Sequence, residues 1–163
     1  MSQYSFIATD YELPEVDNSK EKIITVSEAI ELGIKPHVLM PWEKMNPDGK
    51  VMIFEKEEDL GELVIRKVDV VYDENISWYT TKPFIYSVDF GYTEGRAKEL
   101  LDYLKKNMIE GYSLELWNIW LDDKKNIKPK YKNYNGISLS DISEVYDSNN
   151  ENYANHSCII IEK

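Results

Sequence analysis

The stretch KPFIYSVDFGYTEGRAKELLDYLKKNMIEGYSLELWNIWLDD, residues 82–123, decides the fold. Phe84, Tyr86, Val88 and Phe90 alternate with Ile85, Ser87, Asp89 and Gly91. That period of two, rich in aromatic and β-branched residues, predicts a strand with one face buried. Pro83 suits its first position, where a missing N–H costs little. Thr93 is placed to cap a helix, and Glu94 favours the positive end of its dipole. Over residues 94–108, Ala97, Leu101, Leu104 and Met108 recur at helical spacing and Leu100 widens the stripe. Glu99, Asp102, Lys105 and Lys106 point elsewhere, so the helix must lay one apolar face on a sheet. Gly111 supplies the stop. Residues 113–121 form the second strand, with Leu114 and Leu116 on one face and Trp117, Ile119 and Leu121 on the other. Either both faces are covered or a bulge shifts the phase near Leu116. If the two strands are parallel, the crossover is right-handed, and another strand is free to lie between them.

Outward from this unit, Tyr4, Phe6 and Ala8 alternate with Ser5, Ile7 and Thr9, which predicts a first strand. Residues 10–22 are polar, contain Pro14 and read as a loop. Thr25 to Glu28 fits a capping box ahead of a short helix carrying Val26, Ala29 and Ile30, with Gly33 as its end. Pro36, Pro41 and Pro47 forbid a long element in 34–49. One helical turn fits at 41–44, and Asn46-Pro47-Asp48-Gly49 has type I turn chemistry. Residues 50–57 and 62–72 read as a hairpin around a turn at 58–61, and 78–81 as a connector or short edge strand. Residues 122–136, with Lys124, Lys125, Lys128, Lys130, Lys132, Tyr131 and Tyr134, read as a long exposed loop. Ser138 or Ser140 caps a short helix bearing Leu139, Ile142 and Val145. Residues 157–161 end the chain as a strand, with Cys158 and Ile160 on one face. The whole predicts one α+β domain over 1–163: a mostly antiparallel sheet of about five or six strands, helices on one face, and the β-α-β unit at its centre.

A chain of 163 residues buries roughly two-thirds of its unfolded surface, enough for a core without staples. Its formal net charge of −11 repels nucleic-acid backbones and anionic membranes. It suits a basic protein partner, and equally serves simple solubility. Cys158 is the one cysteine, so no internal disulfide forms and a reducing compartment is expected. Met1-Ser2-Gln3-Tyr4 lacks a basic, then apolar, leader, and no apolar run spans a bilayer. These features lead to the expectation of a cytoplasmic protein, monomeric or homodimeric. Richness in Lys, Asn, Ile, Tyr and Glu fits an AT-rich bacterial genome.

Five groups are candidates for chemistry. Tyr92-Thr93-Glu94-Gly95-Arg96-Ala97 resembles the phosphate-binding signature of GNAT acyltransferases, Arg/Gln-x-x-Gly-x-Gly/Ala, with Tyr92 standing in the Arg/Gln place. The resemblance implies acetyl-CoA bound by amides around Gly95, Arg96 and Ala97 at a helix start. The same small residues also serve close packing of the helix on its sheet. His156 and Cys158 lie two apart on a strand, where a Cys–His pair makes a nucleophile but neighbours point side by side. His37 is the only other histidine, so a zinc cluster is excluded on ligand count. The run Glu55, Glu57, Glu58, Asp59 and Glu62 reads as a weak calcium site, a solvated turn, or an acidic contact for a basic partner. The Lys–Tyr loop offers phosphate contacts and stacking, or mere solvation. Trp117 and Trp120 face opposite sides of one strand, so either one is core and the other an anchor for a partner, or both are packed in a core covered on both sides.

The leading expectation is a non-enzymatic protein without a cofactor. It binds a basic protein partner, as an immunity-type inhibitor does, through Trp117, Trp120, Glu55, Glu57, Glu58 and Asp59. The alternative is an acyltransferase using acetyl-CoA.

Overall fold

The computed structural model describes residues 3–36, 38–54, 56, 59–68, 76–120, 127–154 and 156–163. The protein is α+β, and its chain forms two compact units. The larger comprises Met1–Asn18 with Gly61–Lys163, and the smaller is Ser19–Leu60.

The larger unit is built on a seven-stranded sheet. Its strands are β1 (Gln3–Thr9), β2 (Val16–Asp17), β5 (Val64–Val68), β6 (Phe84–Asp89), β7 (Ser113–Trp120), β8 (Lys130–Asn133) and β9 (Ser157–Glu162). Their order is β2-β5-β6-β1-β7-β9-β8. Every neighbouring pair is antiparallel except β8 with β9, so the sheet is mixed. The expected five or six strands become seven because two short polar edges, β2 and β8, complete it.

β1 holds the middle position. It pairs Phe6 with Ser87 on one side and with Trp117 on the other, antiparallel to both neighbours. β6 and β7 are therefore parallel to each other, with β1 inserted between them. Helix α2 (Glu94–Asn107) is their crossover. Thr93 caps it by accepting from the Arg96 amide at 3.3 Å. Ala97, Leu100, Leu101, Leu104 and Met108 are all buried, as their spacing predicts. They pack with Ile7, Tyr86, Val88, Leu114 and Leu116 on one face of the sheet. Helix α3 (Leu139–Tyr146) joins that layer through Ile142 and Val145.

The register of β7 runs unbroken against both neighbours, so no bulge occurs at Leu116. Both faces are covered instead. Trp117 and Ile119 belong to a second core with Phe6, Ala8, Ile76, Ile85 and Cys158. Trp117 stacks on Phe6 at 5.8 Å between centroids and meets the edge of Tyr79. Buried tyrosines also fix the segment after β1. The Tyr86 hydroxyl accepts from the Leu13 amide at 2.9 Å, and the Tyr103 hydroxyl donates to the Pro14 carbonyl at 2.8 Å.

The smaller unit contains β3 (Lys22–Thr25), α1 (Val26–Glu31), a 3-10 turn at Trp42–Lys44 and β4 (Lys50–Ile53). Its capping box forms as read. The Glu28 amide donates to Thr25 Oγ1 at 3.2 Å, and the Thr25 amide donates to the Glu28 carboxylate at 2.7 Å. The Asn46 carbonyl accepts from the Gly49 amide at 2.8 Å, closing the expected turn.

Two expectations are corrected. The hairpin of 50–57 with 62–72 does not form among the described residues. β4 pairs with β3, while β5 pairs with β2 and β6. Nearness in sequence suggested the partner, but Ile24 and Val51 meet around α1 and close the small unit on itself. The loop expected over 122–136 carries a strand, β8, in its described part. Lys130 and Lys132 share one side of it, and both reach carboxylates of α3. Asp141, 2% exposed, accepts from Lys132 Nζ at 2.7 Å and from the Ser138 amide and hydroxyl at 3.0 and 2.8 Å.

Two consequences are measurable by chemical denaturation. Leu104→Ala should lower stability by about 2–5 kcal/mol, through lost transfer energy and the cavity left behind. Lys98→Ala on the exposed side of the same helix should change it by less than about 0.5 kcal/mol. Burial pushes the Asp141 carboxyl up, but Lys132 and Ser138 more than offset it, holding it below its ordinary 3.8. A carboxylate depressed in the folded state stabilises fully above its unfolded pKa and loses that contribution as pH falls through the folded one. Asp141→Asn should therefore cost about 1–3 kcal/mol at neutral pH. Its gap to the parent protein should close in acid, below 3.8. A gap independent of pH would contradict the assignment.

Candidate functional site

The smaller unit has little to bury. Its core is Val26, Ala29 and Val51, with Ile24, Ile34, Trp42, Met45 and Ile53 partly covered around them. Such a short segment cannot enclose all its apolar side chains. Ile23, Ile30, Leu32, Val38, Leu39, Met40, Met52 and Leu60 are all exposed, Val38 at 91% and Leu39 at 82%. These are eight of the twelve large apolar side chains found exposed among the described residues, in roughly a quarter of the chain.

Part of this surface is shaped. A groove of about 470 Å³ is lined by Ile34, Met40, Trp42, Met45, Met52 and Phe54, with Lys35 and Lys50 also at its wall. The tryptophan is fixed in place, because its indole N–H donates to the Ile34 carbonyl at 2.8 Å. Around that rigid wall stand three methionines, whose unbranched thioethers adapt to varied apolar shapes. The arrangement suits apolar side chains of a partner. Residues that a pair of lysine ammoniums repel are kept out of the groove itself.

The residues singled out from the sequence fall in scattered places. Trp117 is the core member of its pair, and its indole N–H donates to Glu115 at 2.8 Å. Trp120 is half-buried at the end of β7, and its backbone amide donates to His156 Nδ1 at 3.4 Å. Glu55, Glu57 and Glu58 lie outside the described residues, as do His37, Lys124 and Lys125. Asp59 is buried and receives Lys20 Nζ at 3.0 Å, which holds its carboxyl below the usual range.

At the start of α2, Gly95 has open space where a Cβ would stand, whereas Ala97 is fully buried. Close packing therefore explains the alanine and not the glycine. Arg96 turns back on its own loop, donating to the Gly91 carbonyl and to Glu62, each at 3.2 Å. The turn is tight enough that a Cβ on Gly61, at φ +78°, would stand 2.9 Å from the Gly91 nitrogen. Cys158 is buried, and desolvation followed by the Glu115 charge pushes its thiol well up, away from a thiolate. Lys130 and Lys132 are held by α3 carboxylates, and Tyr134 donates to the Lys105 carbonyl at 3.2 Å.

The groove was not among the sequence candidates. Its signal is visible in retrospect: Met40, Met45 and Met52 are three of five methionines, close together in a proline-broken stretch with Trp42 and Phe54. Comparison of the chain with protein-family models, with curated proteins and with solved structures gives no match. No helix among the described residues is long and apolar enough to cross a membrane.

The groove makes a direct prediction for an apolar dye such as anilinonaphthalene sulfonate. Met52→Glu places a charge on an already exposed side chain, so stability should move by less than about 0.5 kcal/mol. Dye fluorescence should fall to a small fraction of the parent signal. Unchanged fluorescence would mean that the dye sits elsewhere.

Proposed function

We propose that this chain is a non-enzymatic cytoplasmic protein that binds a basic protein partner, as an inhibitor or immunity protein does. The observation that carries the reading is the concentration of exposed apolar side chains on Ser19–Leu60, two of which, Met40 and Met52, line a groove with a fixed tryptophan wall. A large exposed apolar surface on a soluble chain marks an interaction site. Buried aromatic and methionine contacts supply most of the affinity in such interfaces.

Charge supplies the encounter rate. A net charge of −11 draws a basic partner from a distance and speeds its association. Lys35 and Lys50 at the groove set the local rule. The partner's apolar residues enter there, and its basic residues lie outside, against carboxylates of the wider surface.

The test is affinity capture from the source lysate at rising ionic strength, with the parent chain and a Met40→Glu, Met52→Glu variant side by side. A basic polypeptide should be retained by the parent at low salt and released progressively as salt screens the attraction. The variant should fail to retain it at any salt. Capture that ignores both salt and the substitutions would sink the reading, as would the absence of any basic partner. Light scattering on the isolated chain tells a second copy on the same face from a foreign partner.

A further inference from the structure

The groove of the smaller unit follows the open edge of a strand. Lys50, Val51, Met52, Ile53 and Phe54 all line it. Successive residues of a strand point to opposite faces. Val51 and Ile53 share a face with Ile24, packed among Ile34, Trp42 and Met45. Met52 shares the other face with Ile23, and both are exposed. A groove that touches both faces of β4 and no residue of β3 runs along the edge of β4 turned away from β3.

The ladder shows what that edge presents. The Val26 amide donates to the Gly49 carbonyl at 2.9 Å, and the register then pairs Ile24 with Val51 and Lys22 with Ile53. Bonded pairs recur at every second residue of an antiparallel ladder. Val51 and Ile53 therefore turn their N–H and C=O toward β3, while Lys50 and Met52 turn theirs outward, along the groove. None of these outward groups has a partner among the described residues. Other strand edges are engaged. The Thr25 amide, on the far edge of β3, donates to Glu28 at 2.7 Å, and the Lys67 amide of β5 donates to the Glu15 carboxylate at 2.7 Å.

An edge of this kind is matched by backbone. An extended chain brings one donor and one acceptor to each outward-turned residue, whereas a helix has spent its own. Such a chain alternates. Its residues on the Val51 and Ile53 side stand over Trp42 and Met45, so they are apolar. Its residues on the other side lie beside Met52 and Lys50. The ammoniums of Lys50 and Lys35 favour a carboxylate there and exclude a basic side chain. A second copy of this chain fits less well. Two bodies of net charge −11 repel, and each brings Lys50 rather than a carboxylate to the edge.

We propose that β4 is extended by a strand of the partner: a segment with apolar residues at alternate positions and a carboxylate facing Lys50, bonded through its backbone to Lys50 and Met52. The proposal rests on the reading of the groove as a docking surface and adds the form of the segment that enters it. The partner's basic charge lies outside that segment.

The test is an NMR titration of the full chain with capped seven-residue peptides, in which threonine and valine alternate and glutamate replaces the threonine at one end or the other. Saturable shifts and slowed hydrogen exchange are expected at the Lys50 and Met52 amides. Backbone N-methylation in one phase keeps every side chain and removes the donors on one edge of the peptide. Methylation at the threonines breaks an antiparallel pairing, and methylation at the valines a parallel one. One version should therefore bind about tenfold or more weakly, and the other nearly as well as the parent peptide. Met52→Pro removes an outward N–H at an open edge, where proline is tolerated, and should weaken binding to the same degree. Lys50→Glu should reverse the preference between the glutamate-ended peptide and a lysine-ended one. The proposal is overturned if no peptide gives a saturable shift at millimolar concentration, if the shifts map away from Lys50 and Met52, or if both methylated versions bind like the parent peptide. The methylated peptides decide the question on the unaltered chain even if Met52→Pro fails to fold. A basic partner captured equally by the parent chain and by Met52→Pro overturns the added strand and leaves the proposed function standing. Peptide pairing at this edge with no basic partner captured supports the strand and removes the proposed function.

Discussion

The structure depends on one layer contact: the apolar stripe of α2 against the sheet face that β1, β6 and β7 share. Leu100 and Leu104 are fully buried there, opposite Ile7, Leu114 and Leu116. Each such leucine contributes on the order of 2 kcal/mol through burial alone. The contact also sets the topology. A helix linking two parallel strands can lie flat on a sheet only by crossing over it. The strand that fills the gap beneath is β1, made from the start of the chain. Everything else in the larger unit attaches to this nucleus. α3 packs beside α2, β9 pairs along β7, and the opposite face closes over Trp117 and Phe6.

What was legible in the sequence follows from how local each cause is. The α2 stripe, the alternation along β7, the capping box at Thr25 and the helix start near Ser138 each involve residues within a few positions, and each formed. The pairing of β4 was misread because strand partners are chosen by distant surfaces. Met52 has Ile23 opposite it, across a helix and a proline-rich turn. β8 was misread for a related reason. Lys130-Tyr131-Lys132-Asn133 looks like solvated loop, because the carboxylates that neutralise it belong to α3 and its hydrogen bonds to β9. At the start of α2, where the sequence resembles a phosphate cradle, the Arg96 side chain is engaged by Glu62 and the Gly91 carbonyl.

The two units divide stability and exposure between them. The larger unit buries nearly all the big side chains, including every one of the largest fully buried residues. The smaller one keeps Val26, Ala29 and Val51 as its core and leaves most of its other apolar residues in solvent. Its fold is fixed largely by polar devices: the Thr25–Glu28 box, the Asn46 turn and the Trp42 bond to Ile34. A surface of that kind is organised before any partner arrives, which lowers the ordering cost of binding. It also gives up the stability that burial of those side chains would contribute.

That division is open to a single measurement, native-state hydrogen exchange read residue by residue. Backbone amides in the middle of β1, between Phe6 and Ala8, should exchange slowest, together with those of α2, through global unfolding alone. Amides of β3 and β4 should exchange orders of magnitude faster, by opening of the smaller unit. Equal protection in β1 and β4, or faster exchange in β1, would contradict the account.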